Sequence, residues 1–247
     1  MSRLAVINNL KMFARDTLLG PCARCGARDL SVCGSLNDVD FSRFTELMHE
    51  VVYQPEAQLF SEGEPAYHVF NVTAGMVKLV KLLPDGRRQI TGFLSVGDFL
   101  GIGHAKAYSC SAEALSQVRV CRFPRDRLLA MLEELPTLQH CLLERASGEL
   151  AHAQEQILLL GRKTALERLA SFLLAECRRA ERQGLSASTI ELPMSRNDIA
   201  DYLGLTAETV SRSFTRLKQD GYISLPEGQR VKINRPEALT ELAQAER

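Results

Sequence analysis

At 247 residues with 45% hydrophobic content, the chain is long enough to bury a sizeable core, and its length favours two domains over one. Thirty Lys and Arg balance thirty Asp and Glu, which excludes binding through a polybasic tail and shifts attention to where individual arginines sit. With no apolar N-terminal stretch of signal-peptide length and no run of about eighteen apolar residues, the expectation is a soluble, cytoplasmic protein without a membrane partner. Seven cysteines, an odd number, speak against a disulfide scaffold.

Residues 1–36 read as an extension, interrupted at Gly20-Pro21 and closed by Gly34-Ser35, with no core of its own. Within it Cys22, Cys25 and Cys33 stand in a C-x2-C-x7-C pattern. A segment with no hydrophobic reason to be ordered suggests that an inorganic centre orders it, and three thiolates then need a fourth. Cys110 and Cys121 are the candidates.

From Asn37, an N-cap, a short helix carries Phe41, Phe44, Leu47 and Met48 on one side. Short β segments follow at 51–53, 58–60, 67–72, 75–82, 89–93, 112–115 and 118–123, separated by turn chemistry such as Pro84-Asp85-Gly86. Residues 37–124 thus read as an antiparallel β-roll, a sensory domain. Alternation puts Cys110 on the side of Ala112 and Ala114, which suit the roll interior, and Cys121 on the side opposite Val118 and Val120, facing out where the extension can reach it. Four thiolates hold either tetrahedral zinc or an iron–sulfur cluster, and spacing does not separate the two.

Residues 125–160 read as one long helix. Gln139, Leu143, Ala146, Leu150, Ala153, Ile157 and Leu160 recur at alternating intervals of four and three, a heptad seam that predicts a homodimer. A second apolar row of Leu142, Leu158 and Leu159 is suited to the protomer's own surface. The helix is expected to stop at Gly161, and Thr164-Ala165-Leu166-Glu167 opens another with a capping box, burying Leu166, Ala170, Leu173 and Cys177. A strand at 189–192, a helix capped at Ser195, a tight turn at Gly204-Leu205-Thr206, a helix over 207–220 and a hairpin around residues 226–229 complete a winged helix-turn-helix over 161–247. The overall class is α+β.

The helix opened by Thr206 is the reader of double-stranded DNA. Arg212 can bind guanine bidentately, Glu208 can accept from cytosine, and Ser211 is adaptable. Thr206, Thr209, Ser213 and Arg216, with Ser195 and Arg196 of the preceding helix, suit phosphate oxygens. The plain alternative for Glu208 and Arg212 is a surface i, i+4 ion pair. No Ser, His and acid constellation, phosphate loop or paired carboxylates stand out, so the reading is not that of an enzyme.

Gln89-Ile90-Thr91-Gly92-Phe93 with Gly97-Asp98, Gly148-Glu149, Ile157-Leu158-Leu159-Leu160, and Tyr202-Leu203-Gly204-Leu205-Thr206 through Glu208-Thr209-Val210-Ser211-Arg212 resemble the CRP/FNR superfamily of bacterial transcription regulators, and within it the FNR branch. The likeness covers essentially the whole chain. It implies an oxygen-sensing 4Fe-4S cluster, with Cys22, Cys25 and Cys33 matching the N-terminal ligands and Cys121, in Val120-Cys121-Arg122-Phe123-Pro124, the fourth. For Glu208, Ser211 and Arg212 it implies a TTGAT-like half-site in a palindrome, and it implies contact with RNA polymerase through the turn at 84–88. Two departures are that the last cysteine interval is wider than in the enterobacterial type and that Ala153 stands where some relatives place an acidic residue. A cyclic nucleotide is disfavoured, because Cys110 and Ile102 stand where cAMP-binding relatives keep a phosphate-pairing arginine and a glutamate.

Overall fold

The computed structural model describes Cys22, residues 25–102 and residues 106–244; the Gly20-Pro21 break and the rest of the leader before Cys22 lie outside these. Residues 25–36 form a series of turns ending in a short 3-10 turn, Val32–Ser35, and the first helix follows, α1 (Asp38–Glu46), whose cap Asn37 accepts from the Asp40 amide at 2.9 Å.

The roll consists of β1 (His49–Tyr53), β2 (Gln58–Phe60), β3 (His68–Ala74), β4 (Val77–Leu82), β5 (Arg88–Leu94), β6 (Phe99–Leu100), β7 (Ser111–Ala114) and β8 (Val118–Pro124). They pair antiparallel in two four-stranded sheets, ordered β1-β8-β3-β6 and β2-β7-β4-β5. Between the sheets lie Phe60, Phe70, Val72, Tyr108, Ala112, Ala114, Val118 and Val120, with the Phe60 ring stacked on Tyr108 and Phe70. Strand alternation sends the other residues of β8 outward. Cys121 and Phe123 join a second core outside the roll, made with Val32, Leu36, Phe41, Phe44, Leu128, Leu138 and Leu142.

Instead of one helix over 125–160 there are two, α2 (Arg125–Glu134) and α3 (Pro136–Arg162). Leu135 between them sits at φ −119°, ψ 84°, because the ring of Pro136 forbids helical geometry to the residue before it while suiting the first helical position itself. The helix also runs through Gly161 to Arg162, one residue beyond the expected stop. On α3, Leu138, Leu142 and Leu159 are buried against the protomer, whereas Leu143, Leu150 and Ile157 are 63–70% exposed, as is Leu158.

The C-terminal part packs α4 (Ala165–Arg182), α5 (Arg196–Leu203), α6 (Ala207–Gln219) and α7 (Pro236–Gln244) with a three-stranded sheet of β9 (Thr189–Glu191), β10 (Ile223–Ser224) and β11 (Arg230–Ile233), ordered β10-β11-β9. The Thr164–Glu167 capping box opens α4, and Ala170, Leu173 and Cys177 are buried along it. This core is continuous with the roll: Val80, Ile90 and Phe93 of β4 and β5 join it, the Phe93 ring lying 5.0 Å from Tyr202 and 6.1 Å from Phe172.

Candidate nucleic-acid interface and cysteine pocket

The turn between α5 and α6 is built on Gly204 at φ +61°, the left-handed region that glycine enters without strain. Thr206 caps α6, its hydroxyl accepting from the Thr209 amide at 3.1 Å. One face of α6 buries Val210, Phe214 and Leu217, so the opposite face must carry any contact with a ligand. There Glu208 and Arg212 pair with each other at 72% and 78% side-chain exposure, and Ser211 is exposed with its hydroxyl donating to the Ala207 carbonyl at 2.8 Å. An exposed i, i+4 pair of this kind contributes only a few tenths of a kcal/mol to the helix, so both side chains can be redirected to base edges at little cost.

Around these residues, Thr209 is half-buried and Arg216, 66% exposed, pairs with Asp220 at 2.7 Å. Ser213 departs from the expected role. It is buried, and its hydroxyl donates back to the Thr209 carbonyl at 2.8 Å, because its register on α6 is that of Val210, Phe214 and Leu217. Ser195 is exposed, but its hydroxyl is engaged with Asp198 at 2.6 Å in the capping box of α5. The Arg196 guanidinium lies over the Phe214 ring, 3.3 Å from its centroid, and burial lowers its pKa. Arg196 is thus held against the helix core rather than extended from it.

Buried ion pairs fix α5 to the roll. Lys78 of β4 donates to Asp198 at 2.9 Å with both side chains nearly buried, and Arg88 of β5 reaches Asp201 at 2.8 Å and Asp198 at 3.3 Å. Burial alone would raise the Asp198 pKa; hydrogen bonds from Ser195 and Lys78 outweigh it and hold the carboxyl below its ordinary value. Arg168 of α4 ties the end of α3 to the same unit, donating to the carbonyls of Leu160 and Leu203 at 2.8 Å each. The helix-turn-helix is therefore presented on a frame that includes the roll and the end of α3.

The second site lies outside the roll. Cys22, Cys33, Cys121 and Cys141 pack into the core made by the 3-10 turn, α1, α2 and α3. Burial pushes the Cys22 thiol up to about 11, with Cys33 and Cys25 adding to the rise; Cys121 is raised further by burial and then by Cys33, Cys22 and Cys25. Cys33 is raised by burial. Three thiols of the leader and one of β8 therefore share one electrostatic neighbourhood. Among the described residues, however, no three His, Cys, Asp or Glu side chains are closed round a point that could hold a metal ion. The four sulfurs are gathered but not drawn together.

Asn71 of β3 faces Cys121 in the cross-strand register, is 1% exposed, and its Oδ1 has no hydrogen-bond partner among the described residues. Turned about its last bond, the same amide offers two N–H donors to sulfur, as in the surroundings of sulfur-ligated metal centres. The donor set and this amide fit a thiolate-held inorganic group, and the segment also has apolar anchors of its own. Ala27, Ser31, Val32 and Leu36 are buried, and Arg28 lies over the Phe41 ring at 4.0 Å, so the expectation that residues 25–36 lack a hydrophobic anchor is corrected. The anchors are isolated small and aliphatic side chains without periodicity, and their burial is supplied by α1, α2 and α3.

Residues 50–134 match the family model of the cyclic nucleotide-binding domain, and residues 167–242 match that of the Crp-like helix-turn-helix domain. The chain is 45% identical to the transcriptional activatory protein AadR of Rhodopseudomonas palustris over 84% of its own length and 87% of the relative's. It is 42% identical to the nitrogen fixation regulation protein FixK of Bradyrhizobium diazoefficiens, again over 84% and 87%. Among solved structures it is similar to FixK2 of Bradyrhizobium japonicum, with a TM-score of 0.76 and 38% identity over 81% of this chain and 99% of that one.

Proposed function

Because the chain belongs to the FNR and FixK branch of the CRP/FNR superfamily of transcription regulators, we propose that it is an oxygen-responsive member that carries a 4Fe-4S cluster and binds palindromic TTGAT-like promoter sites as a homodimer at low oxygen. As a member of that branch it is a DNA-binding transcription regulator and not an enzyme. No helix among the described residues is long and apolar enough to cross a membrane.

The observation that supports the finer reading is the packing of Cys22, Cys33 and Cys121 in one core with Leu138 and Leu142 of α3, Cys25 acting on the same thiols, on the helix whose other face leaves Leu143, Leu150 and Ile157 bare. These four would hold the cluster as thiolates, with Asn71 beside Cys121. When bound, the cluster supplies an oxygen-labile framework joining the leader to the roll. The residues of α3 do the rest: each seam Leu or Ile covered by a partner contributes about 1.5–3 kcal/mol. Taking a dimer from nearly absent to nearly complete needs a differential of about 5.5 kcal/mol, comparable to repacking two or three of them. Two protomers related by a two-fold axis would set two α6 helices into successive major grooves. The turn at 84–88, exposed over 84–87, is the proposed face for RNA polymerase.

Anaerobic purification followed by iron and acid-labile sulfide analysis tests this. The expected result is a brown protein with about four irons and four sulfides per chain, the composition of one 4Fe-4S cluster held by four thiolates. Its colour should bleach in air, with loss of both binding to a palindromic duplex and dimerisation. A second reading, the same regulator with zinc or no metal, draws on the apolar anchoring of residues 25–36; it predicts colourless protein whose DNA affinity is the same with and without air. That outcome would overturn the first.

A further inference from the structure

Arg145 joins three separate parts of the molecule. It lies on α3, continuing the buried stripe of Leu138 and Leu142, away from the seam of Leu143, Ala146 and Leu150. One guanidinium nitrogen donates to the Gly97 carbonyl at 2.9 Å, in the turn between β5 and β6. The other terminal nitrogen donates to the Leu30 carbonyl at 2.7 Å, between Cys25 and Cys33. We propose that Arg145 is the positioning residue through which the seating of residues 25–33 is conveyed to the setting of α3.

The contact is specific to the groups that make it. A guanidinium presents its donors in a rigid planar fork, so two carbonyls can be bridged at once; a lysine ammonium is a point charge on a flexible stem. Gly97 sits at φ +94°, and a Cβ there would stand 2.5 Å from the Leu30 oxygen, so the leader rests directly on bare backbone. Leu30 in turn is not free to move apart from the cysteines. Its amide bonds to Ala27 at 3.2 Å, Arg28 bonds to Cys25 at 3.3 Å, and Gly34 bonds to Ser31 at 3.2 Å, a chain of turns running from Cys25 past Cys33. Displacing the cysteines therefore carries the Leu30 carbonyl away from Arg145. The guanidinium then keeps only Gly97, and α3 loses one of the ties that set its rotation relative to the roll.

This inference rests on the cluster reading for its physiological trigger but not for its geometry, and the experiment separates the two. Hydrogen–deuterium exchange is measured on amides 26–34 of the iron-free full chain, for the native protein, Arg145→Ala, Arg145→Lys and Gly97→Ala. The last perturbs the same contact from the roll side, with every residue of α3 left unchanged. Loss of a hydrogen bond to a charged donor should speed exchange of that segment about tenfold or more in Arg145→Ala and Gly97→Ala, with partial recovery in Arg145→Lys and no change in the α6 amides. Anaerobically loaded Arg145→Ala should then contain as much iron as the native chain, while the change in its dimer constant on exposure to air shrinks about tenfold or more. Native exchange rates in both Arg145→Ala and Gly97→Ala overturn the proposal, as does a native-sized oxygen response in Arg145→Ala. A native chain that takes up no iron defeats the cluster reading instead, and leaves the exchange comparison to decide on Arg145.

Discussion

Replacing Asp198 by Ala removes the carboxylate that fastens the helix-turn-helix to the roll. That carboxylate accepts from the Ser195 amide at 3.0 Å, the Ser195 hydroxyl at 2.6 Å, Lys78 at 2.9 Å and Arg88 at 3.3 Å. Lys78, 13% exposed, would keep, among the described residues, Glu113 at 3.3 Å, while Arg88 would keep Asp201. Stripping one partner from a buried ion pair costs about 3–5 kcal/mol, mainly because the other charge is left behind. The surviving Glu113 contact places this case near 3. Lys78→Met removes the stranded charge, so the double variant should recover about 1.5–3 kcal/mol relative to the sum of the single changes. Urea unfolding followed by circular dichroism, read as the transition of the C-terminal part, measures all four corners of the cycle. Additivity within about 0.5 kcal/mol would refute the argument that these charges act as a pair. The pH dependence has a definite sign. The folded carboxyl lies below its ordinary 3.8, so the latch is at full strength above that value and is lost as the pH falls through the folded pKa.

Arg212→Ala should weaken binding to the cognate palindrome about 10- to 100-fold, since a bidentate base contact discriminates by about 1–3 kcal/mol, and should leave the melting temperature unchanged because the side chain is 78% exposed. Fluorescence anisotropy with thermal denaturation checks it; a loss of stability at native affinity would count against the reading helix. Leu150→Lys, at a position 63% exposed in the single chain, is expected to give a monomer by sedimentation with an unchanged protomer melt. Leu138→Ala, at a fully buried position on the same helix, should cost about 2–5 kcal/mol of protomer stability, and similar melts for the two variants would undo the division of α3 into two faces.

Much of this architecture is local and therefore legible in the chain. Strand alternation placed Val118 and Val120 inside the roll and Cys121 outside, since a period of two leaves only two choices of face. Caps at Asn37, Thr164, Ser195 and Thr206 and the left-handed Gly204 punctuate helices through bonds spanning three or four residues; the heptad positions from Gln139 to Ile157 are exposed on the single chain, whereas the last, Leu160, packs against the protomer's own C-terminal core. The break at Leu135 was readable in principle from Pro136, but the apolar periodicity runs across it and masks it. The last helix, α7, is not among the elements expected from sequence, and Ser213 reads as a surface residue because a hydroxyl side chain does not reveal that its register on α6 is buried.

What tertiary structure alone decided are the contacts between residues far apart in sequence. Lys78 meets Asp198, Arg145 meets Leu30 and Gly97, and Asn71 faces Cys121, each pairing set by how sheets and helices stack rather than by any spacing. The leader shows the same division. Its cysteines are plain in the chain, but its order comes from Ala27, Val32 and Leu36 finding surfaces on α1, α2 and α3. The reason is physical: periodicity and capping report the backbone's own hydrogen bonds, whereas burial and charge pairing depend on surfaces that exist only once distant elements have met.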